Sequence, residues 1–192
     1  KKQALLRHLF ALAAMLPAQI VSYTKMLGQL QDAGNTTTLS HYLKLLEGAF
    51  VASGLELYSK GVIRKKASSP KIVLWNNALI NAMSPRSFSE VRRDGNSWGR
   101  LVENAVGAHL LNGLQGAQWS VNYWRQGDLE VDYVVTHGGQ VWALEVKSGR
   151  SRKTPGLAAF RAIYPNAKVW LIGPEGLALE KFFAQPADRW FK

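Results

Sequence analysis

Two short segments concentrate the side chains able to do chemistry, Asp128-Leu129-Glu130-Val131-Asp132 and Glu145-Val146-Lys147. Twelve residues separate Asp132 from Glu145, and they include the turn-forming run His137-Gly138-Gly139-Gln140. The flanking valines, tyrosines and tryptophans predict two strands joined by a tight hairpin. Side chains alternate with period two along a strand, so Glu130 and Asp132 share one face of their strand, and Glu145 and Lys147 share one face of theirs. Pairing of the strands is expected to bring all four together. Acids and a lysine inside otherwise apolar strands are costly to bury unless they pair or bind a cation. Carboxylates and backbone oxygens are the ligands Mg²⁺ prefers, and a neighbouring lysine would orient an attacking water or offset charge on a scissile phosphate. Asp132 and Glu145 are therefore candidate metal ligands, with Lys147 beside them. Glu103, on the preceding helix, would add a carboxylate. The competing reading of the same residues is a buried ion-pair network.

Other chemistries find less support. The chain has no cysteine, which excludes disulfides, a thiolate zinc site and a cysteine nucleophile, and which fits a reducing cytoplasm, the expected location. His8, His41, His109 and His137 are scattered without metal-ligand spacing. No nucleophilic serine elbow is expected, and Ser148 lacks the flanking glycines. Trp119, Trp124, Trp142 and Trp170 fall at strand positions and read as core rather than as base-stacking platforms.

The elements that must position the acids fall into two modules. In residues 1–85, apolar residues recur at helical spacing from Gln3 to Met15, and Pro17 closes the run. Ser22 caps a short helix through Met26, Leu27 and Leu30, followed by the turn Asp32-Ala33-Gly34-Asn35. A third helix starts at Thr36-Thr37-Thr38 and runs towards Gly48, leaving His41 and Lys44 on an outer face that would meet DNA. Apolar runs Leu55 to Tyr58 and Ile72 to Trp75 flank a basic loop with Arg64, Lys65 and Lys66. Three helices and a basic hairpin describe a winged helix. The polar stretch from Ser84 to Asn96 is the expected boundary.

In residues 86–192, a helix over Trp98 to Leu111 precedes strands at Val121–Trp124, Leu129–Thr136 and Val141–Val146, then a helix at Leu157–Tyr164 and a strand at Lys168–Ile172. The fold class is α/β (α+β), with a mixed central sheet in the second module. The run Lys147-Ser148-Gly149-Arg150-Ser151-Arg152-Lys153 follows the acids, and Arg150, Arg152 and Lys153 would track phosphates.

Composition agrees with this division. The chain has 192 residues, 47% of them apolar, enough for packed cores and too many for wholesale disorder. Its net charge of +11 favours a polyanion partner, DNA foremost. The surplus is greatest in residues 1–85, with ten basic against three acidic side chains. The most apolar stretch, Leu9 to Val21, is too short to span a bilayer and contains Pro17 and Gln19, so no membrane association is expected.

The motifs also carry a family likeness. Asp132, the twelve-residue spacer and Glu145-Val146-Lys147 resemble the PD-(D/E)xK nuclease motif, with Glu103 at the place of its helix glutamate. Trp98-Gly99-Arg100-Leu101-Val102-Glu103-Asn104, Tyr123-Trp124-Arg125, Glu130-Val131-Asp132-Tyr133-Val134-Val135 and Leu144-Glu145-Val146-Lys147-Ser148-Gly149 resemble domain of unknown function 4143 in bacterial and archaeal AAA+ ATPases. Thr36-Thr37-Thr38-Leu39-Ser40-His41-Tyr42-Leu43 and Ser69-Pro70-Lys71-Ile72 extend the likeness over residues 3–185. Where that family usually shows Asp-x-Gly, this chain has Asn76-Asn77-Ala78. The resemblance implies a winged helix followed by a restriction-endonuclease-like domain, with Asp132, Glu145 and Glu103 on Mg²⁺ and Lys147 catalytic. It further implies a C-terminal fragment whose partner is an ATPase domain of the same polypeptide, with ATP bound upstream of Lys1; a homo-oligomer is a separate expectation. A non-catalytic module that binds DNA or protein uses the same fold.

Overall fold

The computed structural model describes residues 2–30, 34–59, 68–151 and 153–192. Arg64, Lys65 and Lys66 of the expected wing, Arg152, and Asp32 and Ala33 of the expected turn lie outside the described residues. The chain is a mixed α+β protein with two sheets among the described residues, and it divides into two compact units, Lys1–Glu56 with Lys65–Ala108, and Leu57–Arg64 with His109–Lys192. No helix is long and apolar enough to cross a membrane, among the described residues.

The first unit begins with α1 (Lys2–Met15), which buries Leu5, Leu9, Leu12 and Ala13 along one stripe. Beyond Pro17 the chain turns at Ala18, a buried residue with φ of 53°. A left-handed alanine is disfavoured, and here both its backbone groups are pinned: its N–H donates to the Ile72 carbonyl at 2.8 Å, and its carbonyl accepts from Arg100 Nη1 at 2.8 Å. This corner feeds β1 (Gln19–Ile20), a strand too short to show alternation in the sequence. Ser22 caps α2 (Tyr23–Leu27) as expected, its hydroxyl accepting from Lys25 N. The cap of α3 (Thr36–Gly48) is Asn35 rather than one of the threonines, with Oδ1 accepting from Thr38 N at 2.9 Å. Leu39, Tyr42, Leu43 and Leu46 face the core, and His41 and Lys44 are exposed.

Strands β2 (Ala52–Leu55) and β3 (Lys71–Leu74) pair antiparallel, and the sheet order is β1-β3-β2. The first hairpin strand was expected at Leu55 to Tyr58 and lies three residues earlier. Ala52, Ser53 and Gly54 carry little strand signal because α3 packs close: a Cβ on Gly54 would strike Leu43 Cδ2. Leu57 and Tyr58 belong instead to the second unit, where Leu57 bridges Tyr123 and Tyr58 N donates to the Tyr123 carbonyl. Asn76 caps α4 (Asn77–Met83). The polar stretch read as a boundary then forms α5 (Phe88–Arg93), because Ser87 and Glu90 close a capping box and Val91 is buried. At the start of α6 (Gly95–Gly113) the Ser97 hydroxyl donates to Asp94 Oδ2 at 2.8 Å and the Ser97 N–H to Oδ1, and these bonds, with those from Arg86 and the Asn96 N–H, hold the Asp94 carboxyl down at about 2.

In the second unit β4 (Trp119–Gln126), β5 (Leu129–His137) and β6 (Gln140–Val146) form an antiparallel meander. The β5–β6 turn places Gly138 and Gly139 at φ of 55° and 80°, the conformation a tight hairpin demands. α7 (Pro155–Ile163) crosses over so that β7 (Lys168–Ile172) joins β6 in parallel, giving the order β4-β5-β6-β7. Leu157 and Phe160 pack on Trp124, Val131, Val134 and Ala143. The other aromatic cluster comes from a C-terminal segment the sequence reading left unassigned: α8 (Leu179–Phe183) buries Phe182, and Phe191 packs on Trp142 and Trp170.

Two predictions follow from this packing. A Cβ on Gly156 would overlap the Glu130 carbonyl oxygen, whereas one on Gly149 meets nothing within 4 Å. Gly156→Ala should therefore cost about 1–3 kcal/mol in denaturant unfolding, and Gly149→Ala much less. His109 is half-buried, with Nε2 on the Gln185 carbonyl and its ring against Phe182 and Phe183; burial pushes its pKa down from 6.5. The folded chain then holds fewer protons than the unfolded chain near pH 6, so this contribution is present above about pH 6.5 and fades on acidification. Denaturant midpoints between pH 7.5 and 5.5 should fall less in His109→Gln than in the wild type.

Candidate functional site

The candidate site in the second unit is built by an irregularity in β5. Val134 pairs with Asn122 and Val131 with Trp124, so Asp132 and Tyr133 together oppose Tyr123 in a β-bulge. The bulge breaks the alternation. Leu129 and Val131 join Val134 on the α7 side, while β6 keeps Val141 and Ala143 on that side throughout. By alternation Glu130 then faces away from α7, and Glu145 and Lys147 face towards it. The four charged side chains therefore do not share one face as the regular period implied.

Asp132, Glu145 and Lys147 are nevertheless neighbours at the end of β6. The β5–β6 ladder runs as far as Tyr133↔Leu144, and one residue further the Val146 N–H donates to Asp132 Oδ2 at 2.7 Å. A side-chain carboxylate thus takes the acceptor position of a strand carbonyl. On the opposite edge Lys147 N donates to the Ile172 carbonyl at 2.9 Å, so the end of β6 is held from both sides. Gly173 packs so closely that a Cβ there would strike the Lys147 carbonyl oxygen, a positioning role that the sequence reading missed. Lys147 Nζ donates to Glu145 Oε1 at 2.7 Å, with 31% and 11% of the two side chains exposed. One oxygen each of Glu130 and Asp132 lie within 4.8 Å of one another; among the described residues Glu145 does not join them in a three-carboxylate group of that size. The donors are all hard oxygens, the set that suits Mg²⁺.

Glu103 belongs to the first unit. Its Oε1 lies 2.6 Å from Nζ of Lys71, a lysine with no exposed side-chain surface, and its Oε2 lies 3.5 Å from Arg100 Nη1. In the sequence Lys71 stands out only within Ser69-Pro70-Lys71-Ile72; a lysine opening the apolar run Ile72-Val73-Leu74 is the available signal that an acid must meet it. Next to it, Asn104 is fully buried and clamps β3, its Oδ1 accepting from Leu74 N and its Nδ2 donating to the Leu74 carbonyl. Gly95-Asn96-Ser97-Trp98-Gly99 does carry the Gly-x-Ser-x-Gly spacing, which the sequence reading passed over. It opens α6 directly after α5 rather than following a strand, and Ser97 Oγ is held by Asp94, so no elbow forms. Arg150 and Lys153 are exposed on the loop after β6.

The fold and site define a two-unit α+β protein carrying a carboxylate–lysine cluster at a strand end. Residues 98–182 match the family described as Domain of unknown function (DUF4143). Residues 1–90 match a second family, described as Domain of unknown function (DUF8612), so the likeness drawn over residues 3–185 divides between two families. No curated protein matches the chain. Among solved structures, the crystal structure of protein VC1899 from Vibrio cholerae is similar at 16% identity and a TM-score of 0.25, over 88% of this chain. The chain spans 46% of that protein's length.

Substitution of Asp132 separates its two roles. Asp132→Ala leaves the buried Val146 N–H without its acceptor and should cost about 1–3 kcal/mol in thermal or denaturant unfolding. Asp132→Asn keeps an acceptor oxygen and should retain most of that stability while losing the charge a cation needs.

Proposed function

We propose that the second unit is a Mg²⁺-dependent phosphodiesterase centre of the PD-(D/E)xK type, acting on DNA that the first unit, a winged helix, helps to hold. The observation that carries this reading is the juxtaposition of Asp132 with Glu145 and Lys147 through the Val146 N–H bond. The chain order of α6, the β4–β6 meander, α7 and the parallel β7 supports it, because a mixed sheet with the acid and the acid-x-lysine on neighbouring strands is what that resemblance implies. In the first unit, the order α1, β1, α2, α3, β2, β3 and the exposed His41 and Lys44 support the winged helix. The match of residues 98–182 supports placing the fragment in an AAA+ ATPase, with ATP handled by a domain outside it.

Asp132 and Glu145 would hold the metal. Bound Mg²⁺ would supply Lewis-acid polarisation of the phosphodiester. Lys147 offsets charge on the phosphate and orders a water near it, and Arg150 and Lys153 contact flanking phosphates. One observation favours a second reading, a binding module without cleavage. The Lys147–Glu145 ion pair already neutralises both groups, as a structural pair would.

Metal-dependent nicking of supercoiled plasmid decides between them. Cleavage with Mg²⁺ or Mn²⁺ that falls by about a hundredfold or more in both Glu145→Ala and Lys147→Ala, with circular dichroism unchanged, is the expected result. A folded wild type that neither cuts nor binds metal by calorimetry leaves the binding reading in place.

A further inference from the structure

The short helix α5 and the start of α6 carry a surface in the polar stretch read as a module boundary. Phe88 is exposed over 68% of its surface, an unusual position for a large aromatic ring that opens a helix. It is also held in place. Ser87 and Glu90 cap α5, with Ser87 N donating to Glu90 Oε2 at 2.7 Å, and Phe88 packs edge-to-face on Trp98 at 5.9 Å and 88°. The Arg92 guanidinium, one helical turn from Phe88, lies 4.4 Å from the centre of the Trp98 ring. The result is a prearranged assembly of two rings and a cation, with Arg93 exposed beside it. Both acids nearby are engaged within the unit: Glu90 by Ser87, and Asp94 by Arg86 and Ser97.

The neighbours of the ring decide what it can bind. Ser87, Ser89, Arg92 and Arg93 surround Phe88 along the chain, and all are exposed. A stable protein interface needs an apolar core of several residues within about 800 Å² per partner, and this polar, cationic surround does not offer one. An unpaired base offers a flat face for the ring, and its phosphates offer anions for Arg92 and Arg93. We infer that Phe88, Arg92 and Trp98 form a stacking platform for single-stranded nucleic acid. This goes beyond the metal-centre reading and does not depend on it, since the platform lies wholly in the first unit.

The test measures binding of a fluorescently labelled oligothymidylate of about twelve nucleotides by anisotropy, in EDTA so that no cleavage intervenes. Wild type should bind the single strand more tightly than a blunt duplex of the same length. Phe88→Ala should weaken single-strand binding by on the order of tenfold, and Phe88→Trp should restore it. Phe88 is mostly solvent-exposed, so both variants should melt as the wild type does. Photocrosslinking of a 5-iodouracil oligonucleotide should map to the peptide containing Phe88. Single-strand affinity unchanged in Phe88→Ala, or crosslinks confined to other peptides, overturns the inference. Loss of plasmid nicking in the second unit's variants bears only on the phosphodiesterase reading, because this binding is read without metal.

Discussion

At the end of β6 one backbone N–H decides the chemistry available to the second unit. The bulge at Asp132 and Tyr133 interrupts the regular β5 ladder, and Asp132 supplies the acceptor that Val146 requires. A buried N–H must find a partner, so the carboxylate is drawn to the strand end rather than out to solvent. That single bond places Asp132 beside the segment carrying Glu145 and Lys147. The crossover through α7 to β7 secures the same segment from its other edge, at Lys147 N. The acidic group is thus oriented by the backbone itself, and sheet stability and site geometry rest on the same atoms.

A comparable economy operates in the first unit. Lys71 is buried without exposed side-chain surface, a position that Glu103, 2.6 Å away, helps to make tolerable. Arg100, three residues before Glu103 on α6, donates to the carbonyl of Ala18, the left-handed residue that turns α1 into β1. Asn104 on the same helix occupies both backbone groups of Leu74. One turn of α6 therefore anchors β3 and the α1–β1 corner through side chains alone. The run Arg100-Leu101-Val102-Glu103-Asn104, part of the stretch that resembles domain of unknown function 4143, has this second physical meaning whatever Glu103 does for a cation.

Most elements were legible from local chemistry. Apolar spacing with Pro17 marked α1, Ser22 marked α2, and the β-branched runs with the glycine turn marked β5 and β6, because capping, periodicity and turn preferences act over a few residues. The hairpin strand of the first unit was displaced because small residues dictated by helix packing carry no strand signature. The helix α5 was hidden in a polar stretch because a capping box and one buried valine suffice to form it. The C-terminal aromatics were unassigned because Phe191 acquires meaning only against Trp142 and Trp170, and Phe182 only against His109 and Trp190.

The candidate site divides along the same line. Residue types and spacing alone determined that Asp132, Glu145 and Lys147 sit on successive strands of one hairpin, since covalent connectivity and the two-glycine turn set that pairing. Which side of the sheet each occupies was decided by the tertiary structure. The close approach of α7 at Gly156 to the Glu130 carbonyl, and the demand that Val131 and Val134 both meet that helix, require an extra residue in β5. Period two is a property of an isolated regular strand; packing against a helix can break it, and no window of the sequence contains both partners of that contact.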